Sequence, residues 1–330
     1  MNIDEEYFVL NNFFQENNFS KFKKSSFLIT GGTGVLGYAL LTLLNKMGFE
    51  NLHCITRSKP SSYNYLKGVN YHHIDLRDNN IKKKLDYFDY IIHSAGYAQP
   101  NKFLMDPLGV FTINVDATRE LIKKCRKVFG FVSSSEIYSG NIGQLDETSN
   151  GKTNPQHKRA CYIESKRSGE FLTSAFSSDL NLDAKIFRVS TAFGPGFSKN
   201  DDRVLTDFIR SALTKKKISV RAGANQIRQV NYNFDAAQKI IISLFFGKNN
   251  IYNISGTNKV TISDMAKIIA YQTGSTYKIL TSSDDTGAPQ LVDVIDKNFT
   301  EEFNFDIHTS FDQIIQKSIH WFKKIHQYGF

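Results

Sequence analysis

Cysteine is scarce in this chain, with only Cys54, Cys125 and Cys161 among 330 residues. These thiols are too few and too scattered for a disulfide framework or a metal cluster, so the sequence predicts a reducing, cytoplasmic setting and no metal site. Long apolar runs are also missing, since Ile240–Phe246 is far too short to cross a bilayer. The segment Ile3–Phe19 lacks the basic start of a secretory signal and is amphipathic, which predicts an N-terminal helix. We therefore expect a soluble protein without membrane insertion.

Acidic residues are outnumbered by basic ones. The chain has 41 Lys and Arg against 32 Asp and Glu, a formal net charge of +9. The lysine runs Lys82–Lys84 and Lys215–Lys217 resemble solvated helix ends, and the basic residues are not interleaved with an aromatic surface that could read bases. We therefore predict no nucleic-acid binding, and we expect the charge only to favour anionic ligands.

Short apolar runs alternate with helical patterns over more than half of the chain. Strands are predicted at Phe27–Thr30, Leu52–Thr56, Val69–Ile74, Tyr90–His93, Gly130–Ser133 and Ala184–Val189. Helices are predicted at Val35–Met47, Leu108–Val128 and Ala160–Phe176. This alternation predicts an α/β protein with a Rossmann-type, doubly wound parallel sheet.

A glycine-rich turn follows the first predicted strand. In Gly31-x-x-Gly34-x-x-Gly37 the first glycines permit a tight turn and close approach of a pyrophosphate, and the last lets the helix pack on the strand. The alternative is an ordinary glycine turn, but its place directly after an apolar strand favours a dinucleotide. We expect the cofactor to contact Gly31, Thr33, Gly34, Val35, Leu36 and Gly37.

The second predicted strand ends in Thr56-Arg57-Ser58. An acidic residue there would accept a hydrogen bond from the ribose 2′-hydroxyl of NAD, whereas an arginine with hydroxyl neighbours suits the 2′-phosphate of NADP. Arg57 and Ser58 therefore favour NADP over NAD as the cofactor. The alternative is a solvated arginine at a loop tip.

Tyr162 and Lys166 stand four residues apart on a predicted helix and so share one face. The ammonium can lower the pKa of the phenol and reach the nicotinamide ribose, while the phenol exchanges a proton with an alcohol. Ser134, after a strand, can hydrogen-bond the same oxygen, and Glu136 can abstract a proton from a carbon beside a ketone. The alternatives are a chance surface pair, a polar strand end and an exposed glutamate.

Three regions are expected along the chain. Residues 1–25 form an N-terminal helical extension, residues 26–193 the NAD(P)-binding Rossmann domain, and residues 194–330 mainly a smaller C-terminal lobe that binds substrate. Segments near 228–254 are expected to return to the Rossmann domain, and residues 306–330, with the single Trp321, to form a packed helix. Ligands of doubly wound sheets bind beyond the carboxyl ends of the strands, so the site is expected where the two parts meet.

The ordered motifs resemble the extended short-chain dehydrogenase/reductase superfamily, in its nucleotide-sugar epimerase/dehydratase branch, over residues 26–274. Beside the glycine loop and the Tyr162–Lys166 pair, the markers are Asp75-Leu76-Arg77, His93-Ser94-Ala95-Gly96, Asn114-Val115-x-x-Thr118, Ser133-Ser134-Ser135-Glu136-Ile137-Tyr138 and Arg188-x-x-x-x-Phe193-Gly194-Pro195-Gly196. The resemblance implies that Asp75 and Leu76 hold adenine. It further implies that Ser94, Ala95, Gly96 and Asn114 belong to the cofactor site.

Within that branch the chain looks most like the UDP-glucuronate decarboxylases. The likeness lies in Arg159-Ala160-Cys161-Tyr162-x-Glu164-x-Lys166-Arg167 and Asn200-Asp201-Asp202-Arg203-Val204. It implies substrate contacts from Ser135, Arg203 and Arg228, with Arg228 on the pyrophosphate of a nucleoside-diphosphate sugar. The chain departs from the pattern at Arg57, where an acid is usual, near Arg221, where an aromatic for uracil is frequent, and at Gly196, where an arginine is frequent.

The resemblance implies an enzyme that forms a 4-keto sugar and then decarboxylates, dehydrates or epimerises it, in polysaccharide or other glycan precursor synthesis. The Ser134-Ser135-Glu136 run also resembles NADP-using GDP-mannose 4,6-dehydratases, while Ser135 replaces the aspartate of dTDP-glucose dehydratases. The rivals are an NADPH-dependent reductase of a 4-keto sugar and a non-catalytic dinucleotide-binding regulator. Family members commonly form homodimers through two helices, here Leu108–Val128 and Ala160–Phe176.

Overall fold

The computed structural model of the chain describes residues 3–17, 19–78, 85–221, 223–280, 292–304 and 306–327. The run Lys82–Lys84, predicted as a helix end, lies outside these ranges, whereas Lys215–Lys217 is exposed where a helix ends. Within the described ranges, no helix combines the length and the apolar character that a membrane span requires.

A parallel sheet forms the centre of the molecule. The strands, in chain order, are β1 (Ser26–Thr30), β2 (Asn51–Thr56), β3 (Val69–His73), β4 (Phe88–His93), β5 (Cys125–Ser134), β6 (Gln144–Leu145), β7 (Asp183–Val189), β8 (Thr191–Phe193), β9 (Lys217–Val220), β10 (Ile227–Tyr232), β11 (Ile251–Ile254), β12 (Asn258–Thr261), β13 (Thr276–Ile279) and β14 (Asp293–Val294). Seven of these described strands form the parallel sheet, in the order β11-β7-β5-β4-β1-β2-β3. The predicted doubly wound α/β fold is confirmed.

Helices cover both faces of this sheet. In chain order they are α1 (Ile3–Glu16), α2 (Val35–Lys46), α3 (Pro100–Met105), α4 (Pro107–Phe111), α5 (Ala117–Ile122), α6 (Ala160–Leu180), α7 (Val204–Lys215), α8 (Asn233–Phe246), α9 (Ile262–Thr273), α10 (Lys297–Phe303) and α11 (Phe311–Gln327). Helices α2 and α8 pack together on one face, and α5 and α6 pack on the other.

The alternation of side chains in β1 explains why its sequence is apolar throughout. Phe27 and Ile29 belong to the core beneath α2 and α8, whereas Leu28 belongs to the core on the opposite face. Successive residues of a strand point to opposite faces, so a strand covered on both sides has no solvent-facing position. Every residue of β1 after Ser26 is buried.

Three small sheets accompany the central one among the described residues. They have the strand orders β12-β10-β8, β13-β9 and β14-β6, and all their strands except β6 follow β7 in the chain. The chain also returns to the central part of the molecule through α8, which packs on α2, and through β11, which pairs with β7 at the edge of the central sheet.

Helix α1 packs against α8 and is joined to α11 by an ion pair. Phe14 approaches Phe246 with 5.4 Å between ring centroids. The buried Glu6 accepts a 2.9 Å hydrogen bond from the hydroxyl of Tyr232 and forms an ion pair with Lys317 of α11. An aromatic contact and a buried carboxylate thus fasten α1 to distant parts of the chain.

The predicted helix Leu108–Val128 is wrong in its second half. Helix α4 continues through a π-helical turn, Thr112–Asp116, into α5, which ends at Ile122. Strand β5 then begins at Cys125, five residues before the predicted start at Gly130, and Val128 pairs with Tyr90 of β4. The apolar residues from Cys125 onward fit a helical spacing but are required by the sheet, a tertiary preference that local periodicity does not reveal.

Candidate active site

The glycine loop joins β1 to α2 and needs glycine at two positions. Gly31 has φ +75°, and a Cβ there would lie 2.7 Å from the Cα of Ala95. A Cβ on Gly37 would collide with the carbonyl oxygen of Gly31, so α2 can start this close to the strand only with glycine. Gly34 caps α2 without a side-chain hydrogen bond, which leaves the N–H groups of the first turn available to an anion such as a phosphate. The other predicted contacts lie on this loop, with Thr33 and Leu36 half-buried and Val35 buried.

The segment after β4 forms the second wall of this loop. Ser94 donates a 2.8 Å hydrogen bond to the carbonyl of Thr30, and the amide of Ala95 donates to the Thr30 hydroxyl at 3.1 Å. Beneath them, His93 is buried between Thr30, 2.7 Å from Nδ1, and the carbonyl of Ile113, 2.9 Å from Nε2. Burial lowers the pKa of His93 to about 4, so the neutral ring donates from Nε2 and accepts at Nδ1. His93 therefore links Thr30 of β1 to the carbonyl of Ile113, a structural role that its position in the motif did not predict.

The residues expected at the adenosine end follow β2 and β3. Arg57 and Ser58 are exposed, and Leu76 is buried. Asp75 is held by Arg77, whose Nη2 lies 2.6 Å from one carboxylate oxygen and whose Nε lies 3.0 Å from the other. This hydrogen bonding is the main reason that the pKa of Asp75 is lowered, and the charge of Arg57 adds to it. Arg57 therefore lies close enough to Asp75 for its positive charge to lower the pKa of that carboxyl.

Tyr162 lies in the first turn of α6, with its ring against Phe103 of α3. The two rings are stacked, with centroids 4.9 Å apart and planes 14° from parallel. Burial, followed by the nearby charge of Glu136, raises the pKa of Tyr162 to about 12, while a hydrogen bond with Ser134 and the charge of Arg159 oppose this. The expected lowering of this pKa is therefore not what the structure shows. Ser134, at the end of β5, is the hydrogen-bond partner of the phenol, so both hydroxyls lie where they could reach one oxygen.

Lys166 lies one helical turn beyond Tyr162, and its ammonium points to the sheet. Nζ donates a 2.8 Å hydrogen bond to the carbonyl of Val132. Burial lowers its pKa to about 7. A Cβ built on Gly96 would lie 3.6 Å from both Lys166 Nζ and Asn114 Oδ1, which locates these three residues around one point beside the glycine loop. Orientation of the ammonium toward the sheet explains why burial and Glu136 dominate the pKa of Tyr162.

Asn114 lies in the π-helical turn and is completely buried. Its amide nitrogen donates a 2.9 Å hydrogen bond to the hydroxyl of Ser165, which in turn donates to the carbonyl of Tyr162 at 2.9 Å. Its Oδ1 has no hydrogen-bond partner among the described residues. Asn114 thus ties the two helices together and directs an acceptor toward Gly96.

Glu136 lies on the 3₁₀ turn Ser135–Tyr138 that follows β5, and its partner is Arg159, directly before α6. Arg159 Nε donates to Oε2 at 3.0 Å, and Nη2 donates to Oε1. Arg159 belongs to a motif noted in the sequence, but no role was predicted for it. The sequence did contain one indication that Arg159 belongs to the site: it stands three residues before Tyr162 and so lies at the same end of the helix.

Two of the residues expected to bind substrate, Ser135 and Arg228, lie near the Arg159–Glu136 pair. Ser135 is buried between Ser134 and Glu136 on the turn. Arg228 donates to Gln226 Oε1 at 2.7 Å, and burial lowers its pKa, with opposite contributions from Glu136 and Arg159. The charges of Glu136 and Arg159 therefore act on Arg228.

Arg203 is held by Asp201, with Nη2 at 2.7 Å from Oδ2. The adjacent Asp202 accepts a 3.1 Å hydrogen bond from Asn101 of α3, the helix whose Phe103 stacks on Tyr162. The loop that carries Arg203 thus contacts α3, the helix that packs on Tyr162. Among the described residues, no three His, Cys, Asp or Glu side chains are grouped so that they could hold a metal ion.

A doubly wound sheet with a glycine loop at its first strand, and a tyrosine and lysine one turn apart on a later helix, defines the short-chain dehydrogenase/reductase class of dinucleotide-binding proteins. Comparison with known families is more specific. The chain belongs to the NAD dependent epimerase/dehydratase family, whose sequence profile matches residues 27–255.

Two relatives illustrate the similarity. UDP-glucuronic acid decarboxylase 1 of Xenopus tropicalis is 24% identical over 302 residues, which cover 90% of this chain and 72% of that protein. UDP-glucuronic acid decarboxylase 4 of Arabidopsis thaliana is 26% identical over 250 residues, which cover 73% of this chain but only 56% of that protein. The chain thus spans little more than half the length of the plant relative.

Solved structures share the fold. UDP-glucose 4-epimerase of Thermus thermophilus, in complex with NAD, superimposes with a TM-score of 0.79 at 19% identity. The superposition covers 90% of this chain and 99% of the epimerase.

Proposed function

We propose that this chain is an NAD(P)-dependent enzyme that oxidises C4 of a nucleoside-diphosphate sugar and works through the resulting 4-ketone. The observation that carries the proposal is the hydrogen bond between Ser134 and Tyr162, with Glu136 on the adjoining turn and Lys166, one helical turn further, beside Gly96 next to the glycine loop. A dinucleotide held there would accept hydride from C4 and return it later. The cofactor belongs to residues 26–193 in this proposal, and the sugar mainly to the lobe of residues 194–330.

Tyr162 exchanges the proton of the C4 hydroxyl in this mechanism. With its pKa raised to about 12, the phenol holds a proton at neutral pH and suits the step in which the ketone is reduced. Before it can accept a proton, it must lose its own, and the hydrogen bond with Ser134 and the positive charge of Arg159 stabilise the phenolate that results. Ser134 also orients the sugar oxygen, and Lys166 binds the ribose of the cofactor.

The similarity to UDP-glucuronic acid decarboxylases supports a uronate as substrate and loss of carbon dioxide as the outcome. Arg203 and Arg228 supply positive charge for the pyrophosphate on the side of the C-terminal lobe. Ser135, buried on the turn between Ser134 and Glu136, contributes to the sugar site. Dehydration and 4-epimerisation share the 4-ketone and are the competing outcomes, in the setting of polysaccharide precursor synthesis.

The test is mass spectrometry of the products after incubation with UDP-glucuronate, UDP-glucose, GDP-mannose or dTDP-glucose, each with NAD or NADP. We expect loss of carbon dioxide from UDP-glucuronate. Tyr162→Phe should lower turnover by about 10²–10⁴-fold, because it removes the acid–base group, whereas Tyr271→Phe, at an exposed tyrosine distant in sequence, should not. No chemical change in any sugar, or an unimpaired Tyr162→Phe variant, would refute the proposed function.

We propose that the site accepts NADP as well as NAD. The support is the exposed Arg57 at the end of β2, which is close enough to Asp75 to lower its pKa and so lies at the adenosine end. A 2′-phosphate there would accept charge-assisted hydrogen bonds from the guanidinium. Arg57→Ala should raise the KM for NADP while leaving that for NAD nearly unchanged. An equal effect on both cofactors would contradict the assignment.

We further propose a homodimer formed by α4, α5 and α6. The exposed apolar side chains of this region support it, since Leu108 is 81% and Phe171 70% accessible in the single chain. Phe171→Glu should convert the dimer to a monomer in light scattering coupled to gel filtration, whereas Tyr271→Glu, at an exposed position on α9, should not. A wild-type monomer would refute this part.

The proposed location is the cytoplasm. The three cysteines are all unpaired, as a reducing compartment would keep them. Cell fractionation with an antibody to the chain would test this, and recovery outside the cytoplasmic fraction would contradict it.

A further inference from the structure

The Arg159–Glu136 pair occupies both oxygens of a carboxylate that faces the candidate site. The Arg159 side chain is 6% exposed and that of Glu136 is 24% exposed. Each oxygen accepts an N–H from the same guanidinium, the two-point arrangement that gives such pairs their strength and their fixed geometry. The carboxylate is therefore oriented by Arg159, although it remains open to the site.

The guanidinium is itself held from a second side. Its Cζ lies 4.9 Å from the ring centroid of Phe103, and that ring stacks on Tyr162. A cation over an aromatic face is attracted to it. Arg159 thus contacts Glu136 on one side and, on the other, the ring that stacks on the proposed acid–base tyrosine. A movement of Arg159 away from Glu136 would disrupt both contacts.

A buried ion pair elsewhere in the molecule shows the contrast. The side chains of Lys239 and Asp296 are 2% and 5% exposed, and Asp296 also accepts from the amide of Ser255 within the core. The charges of Arg159 and Glu136 instead act on Tyr162 and Arg228, which belong to the proposed reaction and substrate site. The Arg159–Glu136 pair therefore faces the chemistry and does more than join two elements.

We propose that Arg159 is a positioning residue that binds both oxygens of Glu136 and so withholds this carboxylate from the C5 hydrogen of the 4-ketone. This inference rests on the proposed function. It explains how one shared intermediate is directed to loss of carbon dioxide and away from loss of water.

The two outcomes place different demands on a base. In decarboxylation the C5–C6 bond breaks, carbon dioxide leaves, and the electron pair passes into the C4 ketone as an enolate, which then takes a proton at C5. In dehydration a base first removes the proton from C5, and the C6–O bond then breaks as hydroxide leaves and is protonated to water. Only dehydration requires a free carboxylate at C5.

Deuterium in the product distinguishes these cases. Decarboxylation of UDP-glucuronate in D₂O places one solvent deuterium on C5, next to the original C5 hydrogen. If a base also removes that hydrogen from the ketone, the product carries two deuteriums. This labelling reports how the ketone partitions between exchange and loss of carbon dioxide, so a variant that is slower only in forming the ketone gives the wild-type pattern.

We expect a single deuterium at C5 with wild-type protein. Arg159→Lys can hold only one carboxylate oxygen, so its doubly labelled fraction should rise about tenfold or more. Adding Glu136→Gln to this variant should abolish the second label. Arg167→Lys is the control, because Arg167 also contacts the turn of Glu136, through the carbonyl of Ile137, but forms its ion pair with Glu164 and is not bound to Glu136.

Each outcome decides the matter. A doubly labelled wild-type product, water loss from UDP-glucose by the wild type, or equal labelling by Arg159→Lys and Arg167→Lys would overturn this role of Arg159 while leaving C4 oxidation in place. If Arg159→Lys does not fold, the wild-type labelling and the UDP-glucose reaction remain as the test. Absence of any product from every sugar would overturn the proposed function itself, and this inference with it.

Discussion

Replacing Lys166 by methionine should remove a pH-dependent cost to stability. Burial lowers the pKa of this lysine from its ordinary 10.5 to about 7 in the folded protein. Between these two values the unfolded chain holds a proton that the folded chain has released, so the free energy of unfolding of the wild type rises with pH. Below pH 7 both states are protonated and the cost is constant, and above 10.5 it vanishes. Methionine fills a similar volume and has no charge to titrate.

The size of the effect follows from the two pKa values. Between pH 7 and pH 9 the wild type should gain about 2 kcal/mol relative to Lys166→Met, because each unit of difference in pKa corresponds to about 1.4 kcal/mol and half of the folded lysines are already neutral at pH 7. The hydrogen bond to the Val132 carbonyl is lost in the variant at every pH and does not affect this difference. Other titrating groups are common to both proteins and cancel.

Urea unfolding at pH 7 and pH 9, followed by circular dichroism, measures this difference. Lys267→Met, at an exposed position on α9, is the control and should show no such dependence. If the gap between wild type and Lys166→Met stays constant, or moves in the opposite direction with pH, then the ammonium is not desolvated as described and the reasoning is refuted.

Two further changes test other parts of the molecule. Gly37→Ala places a methyl group against the Gly31 carbonyl and should weaken NADH binding by about tenfold or more, measured by quenching of the single Trp321; unchanged affinity would contradict the assigned loop. Asp296→Asn removes the buried one of the two carboxylates paired with Lys239, the other being Asp306, and should lower the free energy of unfolding by about 2 kcal/mol. Asp293→Asn, whose partner Lys259 is 40% exposed, should cost less than about 1 kcal/mol, and similar losses in the two variants would show that burial is not the deciding factor.

The parts of this fold that could be predicted from sequence depend on short-range rules. The glycine loop requires fixed spacing between neighbouring residues, and strands such as β1, covered on both faces, appear as apolar runs. The boundary near Ile122 could not be predicted in this way. Whether Cys125 extends a helix or starts β5 depends on pairing with β4, which local periodicity does not contain.

The candidate site shows the same division. Ser134 and Tyr162 were predicted to act on one substrate oxygen, and in the structure the two side chains are hydrogen-bonded to each other. The partner of Glu136 was not foreseen, because Arg159 comes 23 residues later, after a long polar loop. The direction of the Lys166 ammonium could not be predicted either. Helical spacing determines the helix face on which a side chain lies but not which carbonyl its ammonium will bind.

The first helix has consequences for the order in which the chain assembles. The partners of Glu6 are Tyr232 and Lys317, which follow it by 226 and 311 residues. During synthesis, α1 therefore emerges from the ribosome long before either group that satisfies its buried carboxylate exists. The Rossmann sheet, whose early strands pair with near neighbours along the chain, can form in the meantime. Docking of α1 then follows the synthesis of both partners, and it joins segments that leave the ribosome far apart in time.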